Sequence, residues 1–600
     1  MYELEKYLDK KAFLHMGLLY AIASIIFYVT SKSLDYKDLR LAFLQFIVPM
    51  VGIYIIEWMC KKPLFTCTWS VPLCVSFTWF GIIPILHKVN SESIAILNNR
   101  QDILFGLYLL LLLMCLYTAR EYIQQKFSRI SWIYTIFLSI FSFVICIIPA
   151  AEIAHFFIYQ FTISETSIIA IQETNIKEAV EYVLAYVGIF KTFLVLLVSV
   201  AIFCFFLYYN RYYVHYVENN KMIWCALVFV IPLAVYMPHL MQKTSFFSMW
   251  NEVYQYRQKE ASFKQNYQNR YDGLVLSSKS LLPMTTPGSV IIVIGESASR
   301  NYMKAYTPDF PYDDTPWLSS LKKDKNFIVF NNVYSCYNQT SIALSQVFTE
   351  KSQYNDKDFS DSISIIDVAK KAGYHTCWLT NQGGVSKDDT PMTLLMNTAD
   401  YHDSPQIDTR LQYDGDLLPL LKKINSDDNN LIIVHLMGSH ALYQTRYPSN
   451  KKVFDLSTPE GNYANTILYT DEILASIFNY AKEHLKLQVM IYVSDHGENV
   501  YHGHHPNIKT FDNVRIPMFV YLSPEYQYNY PSQSHILRSH QDEYFTNDMM
   551  YNTISGILNA QSNHYDERED FSSPNYGFSR NTLWTFNHTI PLINDSTVNT

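Results

Sequence analysis

The sequence predicts two architectures in one chain: an N-terminal multi-span α-helical membrane domain and a C-terminal α/β domain with a mostly parallel central sheet. Three observations carry this. The 600 residues divide after Leu240 into a part with 17 Lys/Arg and 15 Asp/Glu, net +2, and a remainder with 29 and 39, net −10. Seven of the nine cysteines precede the division, whereas 13 of the 18 histidines follow it. The first part is a series of apolar runs of spanning length; the second alternates short β-branched runs with helical patterns. The mean hydropathy of −0.00 is therefore an average over two unlike halves. With 49% hydrophobic and 16% aromatic residues the chain is not disordered, and its cysteines are too sparse for a disulfide-stapled miniprotein. A pI of about 6.1 and the lack of a basic stripe argue against nucleic acid as a partner.

A bilayer is crossed by about 20 predominantly apolar residues. Candidate spans lie at 12–30, 41–59, 64–86, 103–118, 130–150, 183–208 and 222–240, so the domain 1–240 is expected to cross five to seven times. The run Leu109–Leu113 is pure leucine, and 193–207 contains no charge. The stretch 103–118 is short for a span, and Glu57 and Lys191 sit near span ends, where charged side chains can snorkel. Lys10 and Lys11 precede the first run and no small-residue cleavage site follows it, which reads as a retained anchor. Short-loop Lys/Arg, among them Lys61, Lys62, Arg120, Lys126 and Arg129, concentrate on the N-terminal side. That bias places the N-terminus inside, and everything after 240 outside together with the acidic loop 151–182.

Residues 241–285 form a polar connector, and 286–600 the α/β domain. Val290–Ile294, Leu431–Leu436, Val489–Val493 and Ile516–Leu522 read as strands, with a weaker one at His375–Leu379; helical patterns occupy 363–372 and 465–484. Continuous apolar strands between helices imply a sheet covered on both faces. There is no internal repeat.

The residues that follow the strands carry the chemistry, because sites in open α/β sheets form beyond the C-terminal strand ends. The first strand runs into Gly295-Glu296-Ser297, the second into His435 and then His440, the third into Ser494-Asp495-His496-Gly497-Glu498. Parallel strands would bring all of them to one rim. Glu, Asp and His without thiolate suit zinc or another divalent ion in a catalytic site. Glu296, Asp495 and His496 are the candidate ligands. The tract His502-Gly503-His504-His505 can reach the same rim by a loop. His375, His402, His484, His535, His540, His564 and His588 read as ordinary solvated or hydrogen-bonded side chains. Thr340 stands where a helix begins, and a hydroxyl at a helix N-terminus beside a divalent ion is a candidate nucleophile toward phosphate. An N-cap threonine is the other reading of the same position.

In this order, Gly295-Glu296-Ser297, the segment Cys336 to Thr340, His435-Leu436-Met437-Gly438-Ser439-His440, Ser494-Asp495-His496-Gly497-Glu498 and the His502-Gly503 turn resemble the membrane-bound phosphoethanolamine transferases of Gram-negative bacteria. That family belongs to the alkaline phosphatase/sulfatase-like superfamily, and the resemblance extends over most of the chain. It implies one zinc, or two, with Glu296, Thr340, Asp495 and His496 as ligands and Thr340 as nucleophile. His435, His440 and either His502 or His504 would hold the phosphoryl group or a second zinc. A protonated His440 would serve as general acid. Lys387 resembles a substrate-binding lysine at a slightly shifted spacing, and Thr174 and Glu178 of the outer loop match an element that binds the donor head group. The implied reaction moves phosphoethanolamine from phosphatidylethanolamine to lipopolysaccharide, its core sugar or lipid A, or to a glucan, through a phospho-threonine, in the bacterial inner membrane with the catalytic domain periplasmic. The chain is expected to act as a monomer. Lipid A-modifying members have many disulfides, whereas only Cys336 and Cys377 are available here. This departure, and the Trp378-Leu379-Thr380-Asn381-Gln382 strand end, look closer to members acting on core sugars or glucans. A phosphoglycerol-type transferase and an inactive membrane sensor or scaffold are the competing readings.

Overall fold

The computed structural model describes residues 9–31, 36–89, 99–127, 129–173, 179–180, 183, 188–212, 221–277, 288–382, 390–405 and 411–596. It divides into two compact units, Met1–Gln172 with Tyr186–Gln255, and Glu173–Ala185 with Tyr256–Thr600.

In the first unit, six helices among the described residues are long and apolar enough to cross a membrane: Lys10–Thr30, Leu39–Cys60, Cys67–Val89, Asn99–Lys126, Ser131–Tyr159 and Ile189–Tyr212. The seventh expected span falls on the helix Lys221–Met241, whose described apolar stretch, Val228–Met241, is shorter. The stretch that looked too short is a 28-residue helix. Its charges at Asp102 and Arg120 do not end it, because both are buried inside the bundle. Glu57 departs from the expected snorkelling. It is turned inward, where it accepts the Leu64 N–H at 3.0 Å and meets His15 Nδ1 at 2.5 Å. Lys191 is exposed as expected.

The connector is helical. Met249 and Val253 of Ser245–Gln265 pack with Ile163 and Ile168 of the first unit. Farther along, Phe263 stacks on Phe359 in the second unit.

The second unit is built on a seven-stranded sheet. Its strands are β1 (Ser289–Gly295), β2 (Phe327–Phe330), β4 (His375–Thr380), β5 (Tyr401–Asp403), β6 (Asn430–His435), β7 (Leu487–Ser494) and β8 (Met518–Leu522), in the order β2-β8-β7-β1-β6-β4-β5. A separate short pair joins β3 (Asn332–Tyr334) to β9 (Tyr544–Thr546). Strands β7, β1, β6, β4 and β5 are mutually parallel; β8 runs antiparallel to β7 and β2 to β8. The five expected strands all form. Strands β2, β3 and β5 went unread because three or four residues carry too little periodicity. The alternation of side chains divides the core. Val290, Ile292 and Ile294 face one apolar layer, with the helices Thr340–Val347, Ile365–Lys371 and Met550–Ile557. Ile291 and Val293 face the other, covered by Pro459–His484.

Candidate active site

Register builds the site. In the β1–β7 pair Ile294 lies opposite Val493 and Gly295 opposite Ser494. The next residue on each strand, Glu296 and Asp495, therefore leaves the sheet at the same level on adjacent strands. The N–H of Asp495 donates to the carbonyl of Gly295 at 3.0 Å, extending the ladder one step. On the other side of β1, Ile294 lies opposite His435, so β6 ends on the same rim.

Glu296, Asp495 and His496 are fully buried, and one ligand atom of each lies within 4.8 Å of the others. His496 Nδ1 is 2.8 Å from the carbonyl of Gly497, which can only accept, so Nδ1 carries the proton and Nε2 presents its lone pair. That Nε2 lies 3.5 Å from Glu296 Oε1, 3.4 Å from Asp495 Oδ2 and 3.4 Å from Thr340 Oγ1. The Thr340 hydroxyl donates to Glu296 Oε2 at 3.0 Å from the first residue of the helix Thr340–Val347. Gln339 is the N-cap residue, so the reading of Thr340 as the N-cap is corrected.

The carboxylates are held from outside. Ser297 Oγ donates to Glu296 Oε1 at 2.6 Å and Gln382 Nε2 to Oε2 at 2.9 Å. The N–H groups of Ser297 and His496 donate to Asp495 Oδ1 at 3.0 and 2.6 Å. Asp495 Oδ2 has no hydrogen-bond partner despite full burial. Burial and the adjacent Glu296 push the Asp495 carboxyl well up, because two buried anions cannot share one focus uncompensated. Burial also raises Glu296, but His496, His440 and Ser297 outweigh it and hold that carboxyl low. Two carboxylates, one of them with an orphaned oxygen, an imidazole lone pair and a hydroxyl fit a divalent cation.

A second layer surrounds this focus. The His504 ring lies 4.6 Å from that of His496 and 5.9 Å from that of His440, centroid to centroid. His504 Nδ1 is 2.5 Å from Glu498 Oε2, and Tyr443 donates its hydroxyl to Glu498 Oε1 at 2.9 Å. Burial opposes charge on His504, but the Glu498 carboxylate overcomes it and holds the imidazole above its ordinary value. His440 behaves oppositely, since burial pushes it down to about 3. The Glu498 carboxylate thus favours the charged form of His504, whereas burial favours the neutral form of His440. Burial likewise takes His435 down to about 4, and its Nε2 has no hydrogen-bond partner.

The loop carrying His440 is fixed by Asp414, whose carboxylate accepts the N–H groups of Met437 and Gly438 at 2.8 and 2.9 Å. Gly438 has φ +49°, and a Cβ there would stand 2.7 Å from the carbonyl oxygen and 2.9 Å from the nitrogen of Glu296. Only glycine lets the two loops touch.

Thus Glu296, Thr340, Asp495, His496, His435, His440 and His504 come together, whereas His502 is exposed on the turn. Lys387, Thr174 and Glu178 lie outside the described residues. Cys336 and Cys377 are buried and unpaired. Asp414 and the roles of Gln382, Glu498 and Ser297 were not read from the sequence. The signal for Glu498 was its place two residues after His496; nothing local marked Asp414, which lies before β6.

Residues 289–560 match the family model described as Sulfatase. The chain is 25% identical over 487 residues to phosphoethanolamine transferase EptC of Escherichia coli K12, covering 73% of this chain and 82% of that protein. It is 25% identical over 307 residues to phosphoethanolamine transferase EptA of the same strain, covering 47% and 55%. Among solved structures, the integral membrane lipooligosaccharide phosphoethanolamine transferase A of Neisseria meningitidis covers 84% of this chain and 98% of its own, at 16% identity and a TM-score of 0.54, which shows a shared fold. The chain thus combines, among the described residues, six helices long and apolar enough to cross a membrane with a domain that matches the Sulfatase family model, and it is similar in sequence to phosphoethanolamine transferase EptC over 73% of its length.

Proposed function

We propose that the protein transfers phosphoethanolamine from phosphatidylethanolamine to a lipopolysaccharide acceptor, with Thr340 as the residue that is transiently phosphorylated. The observation that supports this most is the placement of a helix-initiating hydroxyl 3.0 Å from one of two buried carboxylates that share a focus with His496. Homology to transferases points to the same group being moved. Glu296, Asp495, His496 and Thr340 would hold a zinc ion, which when bound supplies positive charge to the hydroxyl and to the phosphoryl oxygens.

In this reading the chain's own residues carry the proton transfers and supply the attacking oxygen. Glu296 accepts the Thr340 proton, leaving Oγ1 to attack phosphorus. The new bond is Oγ1–P, and the bond that breaks joins phosphorus to the diacylglycerol oxygen. That oxygen takes a proton, and His504, oriented by Glu498, is the ring placed to give it. The N-terminus of Thr340–Val347 adds N–H groups for the phosphoryl oxygens. In the second half an acceptor hydroxyl, of a sugar or of a phosphate, attacks the phospho-threonine and gives its proton to His504; the P–Oγ1 bond breaks, and Thr340 Oγ1 takes its proton back from Glu296. In this reading the membrane is the bacterial inner membrane, with the N-terminus cytoplasmic and the α/β domain periplasmic, on the side where donor and acceptor lipids meet.

The test is mass spectrometry of lipid A, core sugars and glucans from cells with the protein, without it, and with only a Thr340→Ala variant. A gain of one phosphoethanolamine in one fraction, lost in the variant, is expected. No gain in any fraction overturns the transfer; a gain that persists in the variant overturns the nucleophile.

A further inference from the structure

The membrane unit holds a second set of buried ionisable groups that the rim chemistry does not use. Asp102, Glu152, His87 and Asn99 are 0%, 1%, 5% and 8% exposed. Asp102 commits both oxygens to Ser245, accepting its N–H at 2.9 Å on Oδ1 and its hydroxyl on Oδ2. Glu152 Oε2 accepts the N–H of Ile163 at 3.1 Å, but Oε1 has no hydrogen-bond partner. His87 Nε2 lies 4.0 Å from that free oxygen, and neither nitrogen of the ring makes a hydrogen bond. Asn99 donates Nδ2 to the carbonyl of Thr30 at 3.1 Å, which leaves its Oδ1 unpartnered. Asn99 and Asp102 are one helical turn apart on the same face. Among the described residues no Lys or Arg forms an ion pair with either carboxylate.

These groups share one end of the bundle. Thr30 closes the first span, His87 lies near the end of the third, and Asn99 opens the fourth. Ser245 opens the helix through which the chain continues into the α/β unit. Charged side chains at span ends sit at head-group depth.

What the cluster lacks is a hydrogen-bond donor for its free oxygens: His87, the basic group nearest to Glu152, stands 4.0 Å away, beyond hydrogen-bond reach. Glu152 Oε1 and Asn99 Oδ1 are unused acceptors beside a second carboxylate, Asp102. Water would satisfy an acceptor without neutralising the charge. A primary ammonium has three N–H donors, no acceptor and one positive charge, and charge-assisted hydrogen bonds of that kind are the strong ones. We propose that this cluster is a holding site for the ammonium group of an ethanolamine phospholipid, separate from the rim where phosphorus reacts. The proposal rests on the donor named under Proposed function, but it concerns capture of the lipid and not its cleavage.

The test uses the full-length chain in detergent, carrying Thr340→Ala so that no turnover occurs, and native mass spectrometry of bound lipid. Phosphatidylethanolamine, phosphatidylcholine and phosphatidylglycerol with identical acyl chains are offered together. Phosphatidylcholine keeps the positive charge but has no N–H. The expected result is retention of phosphatidylethanolamine over phosphatidylcholine by roughly tenfold, the size of one good hydrogen-bonded contact. Glu152→Gln retains an acceptor for Ile163 N–H but puts an amide NH₂ where Oε1 stood, and it should bring the ratio close to one. His87→Gln should lower it in the same direction, and serves if the first variant does not fold. Equal retention of the first two lipids, or an unchanged ratio in a folded variant, overturns the proposal. So does displacement of the lipid by sodium or potassium at constant ionic strength, which assigns the cluster to an alkali cation. Selective binding without any transfer in cells would sink only the reaction; transfer without selective binding would sink only this site.

Discussion

The rim of the α/β sheet and the polar cluster of the helix bundle both bury two carboxylates with histidine, yet they are built for different charges. At the rim, ligand atoms of Glu296, Asp495 and His496 crowd within 4.8 Å, with the Thr340 hydroxyl beside them. In the bundle one carboxylate is saturated by Ser245, and the free oxygen of the other stands 4.0 Å from an imidazole. Close convergence of oxygen and nitrogen donors concentrates enough negative charge for a divalent ion. Spread acceptors beside a single free carboxylate oxygen suit a group that brings its own hydrogens. Strand register enforces the first arrangement, and the second depends on the packing of separate helices.

The difference can be broken most sharply at the rim. Asp495→Asn removes the charge of the orphaned oxygen while keeping its shape. Transfer activity, read by the mass gain of the acceptor, should fall by about 10³-fold or more. Chelation should do the same to the unaltered protein and also lower its melting temperature, because Glu296 and Asp495 are then left uncompensated; added zinc should restore both. Chelation should leave lipid selectivity at the bundle cluster unchanged, which separates the two sites. Glu498→Gln removes the carboxylate that raises His504 and should lower kcat by about 10²-fold with little effect on folding, checked by circular dichroism. Gly438→Ala forces a methyl group against the Glu296 backbone in a left-handed conformation. It should cost about 1–3 kcal/mol of stability together with activity, measured by thermal unfolding.

The smallest effect lies away from both sites. Burial pushes the Asp314 carboxyl up from 3.8 to about 8, and its Oδ2 has no partner. The folded state therefore binds this proton more tightly than the unfolded state. Its contribution is full below the ordinary 3.8 and is lost as pH rises toward about 8. Asp314→Asn should flatten that decline, raising Tm by about 2 °C at the alkaline end relative to the native chain. An unchanged slope of Tm against pH would show that Asp314 does not titrate in this window.

Much of the site was legible because it is local. Glu296, Asp495 and His496 each directly follow an apolar strand, and a strand end is a readable place. His435 and Thr340 were legible for the same reason, as the last residue of β6 and the first of a helix. The choice between His502 and His504 was not. Two residues apart on one loop, they are equivalent in sequence, and the turn at Gly503, with φ +71°, delivers one ring to Glu498 while the other stays in solvent. The contrast between His440 and His504 was not legible either, because burial and the Glu498 partner belong to the folded rim and not to the residue type.

The sequence by itself determined that the chain has a lipid-facing half and an acidic half, that the sheet is buried and mostly parallel, and which residue types gather beyond the strand ends. These follow from hydropathy, period and order, all of which are local. Only the tertiary structure decided that Asp414 fixes the His440 loop, that Gln382 reaches Glu296, and that Glu57, Asp102 and Glu152 turn inward. Each of these depends on a partner far away in the chain, and a side chain's cost or benefit in a low-dielectric interior is set by the neighbours that the fold supplies.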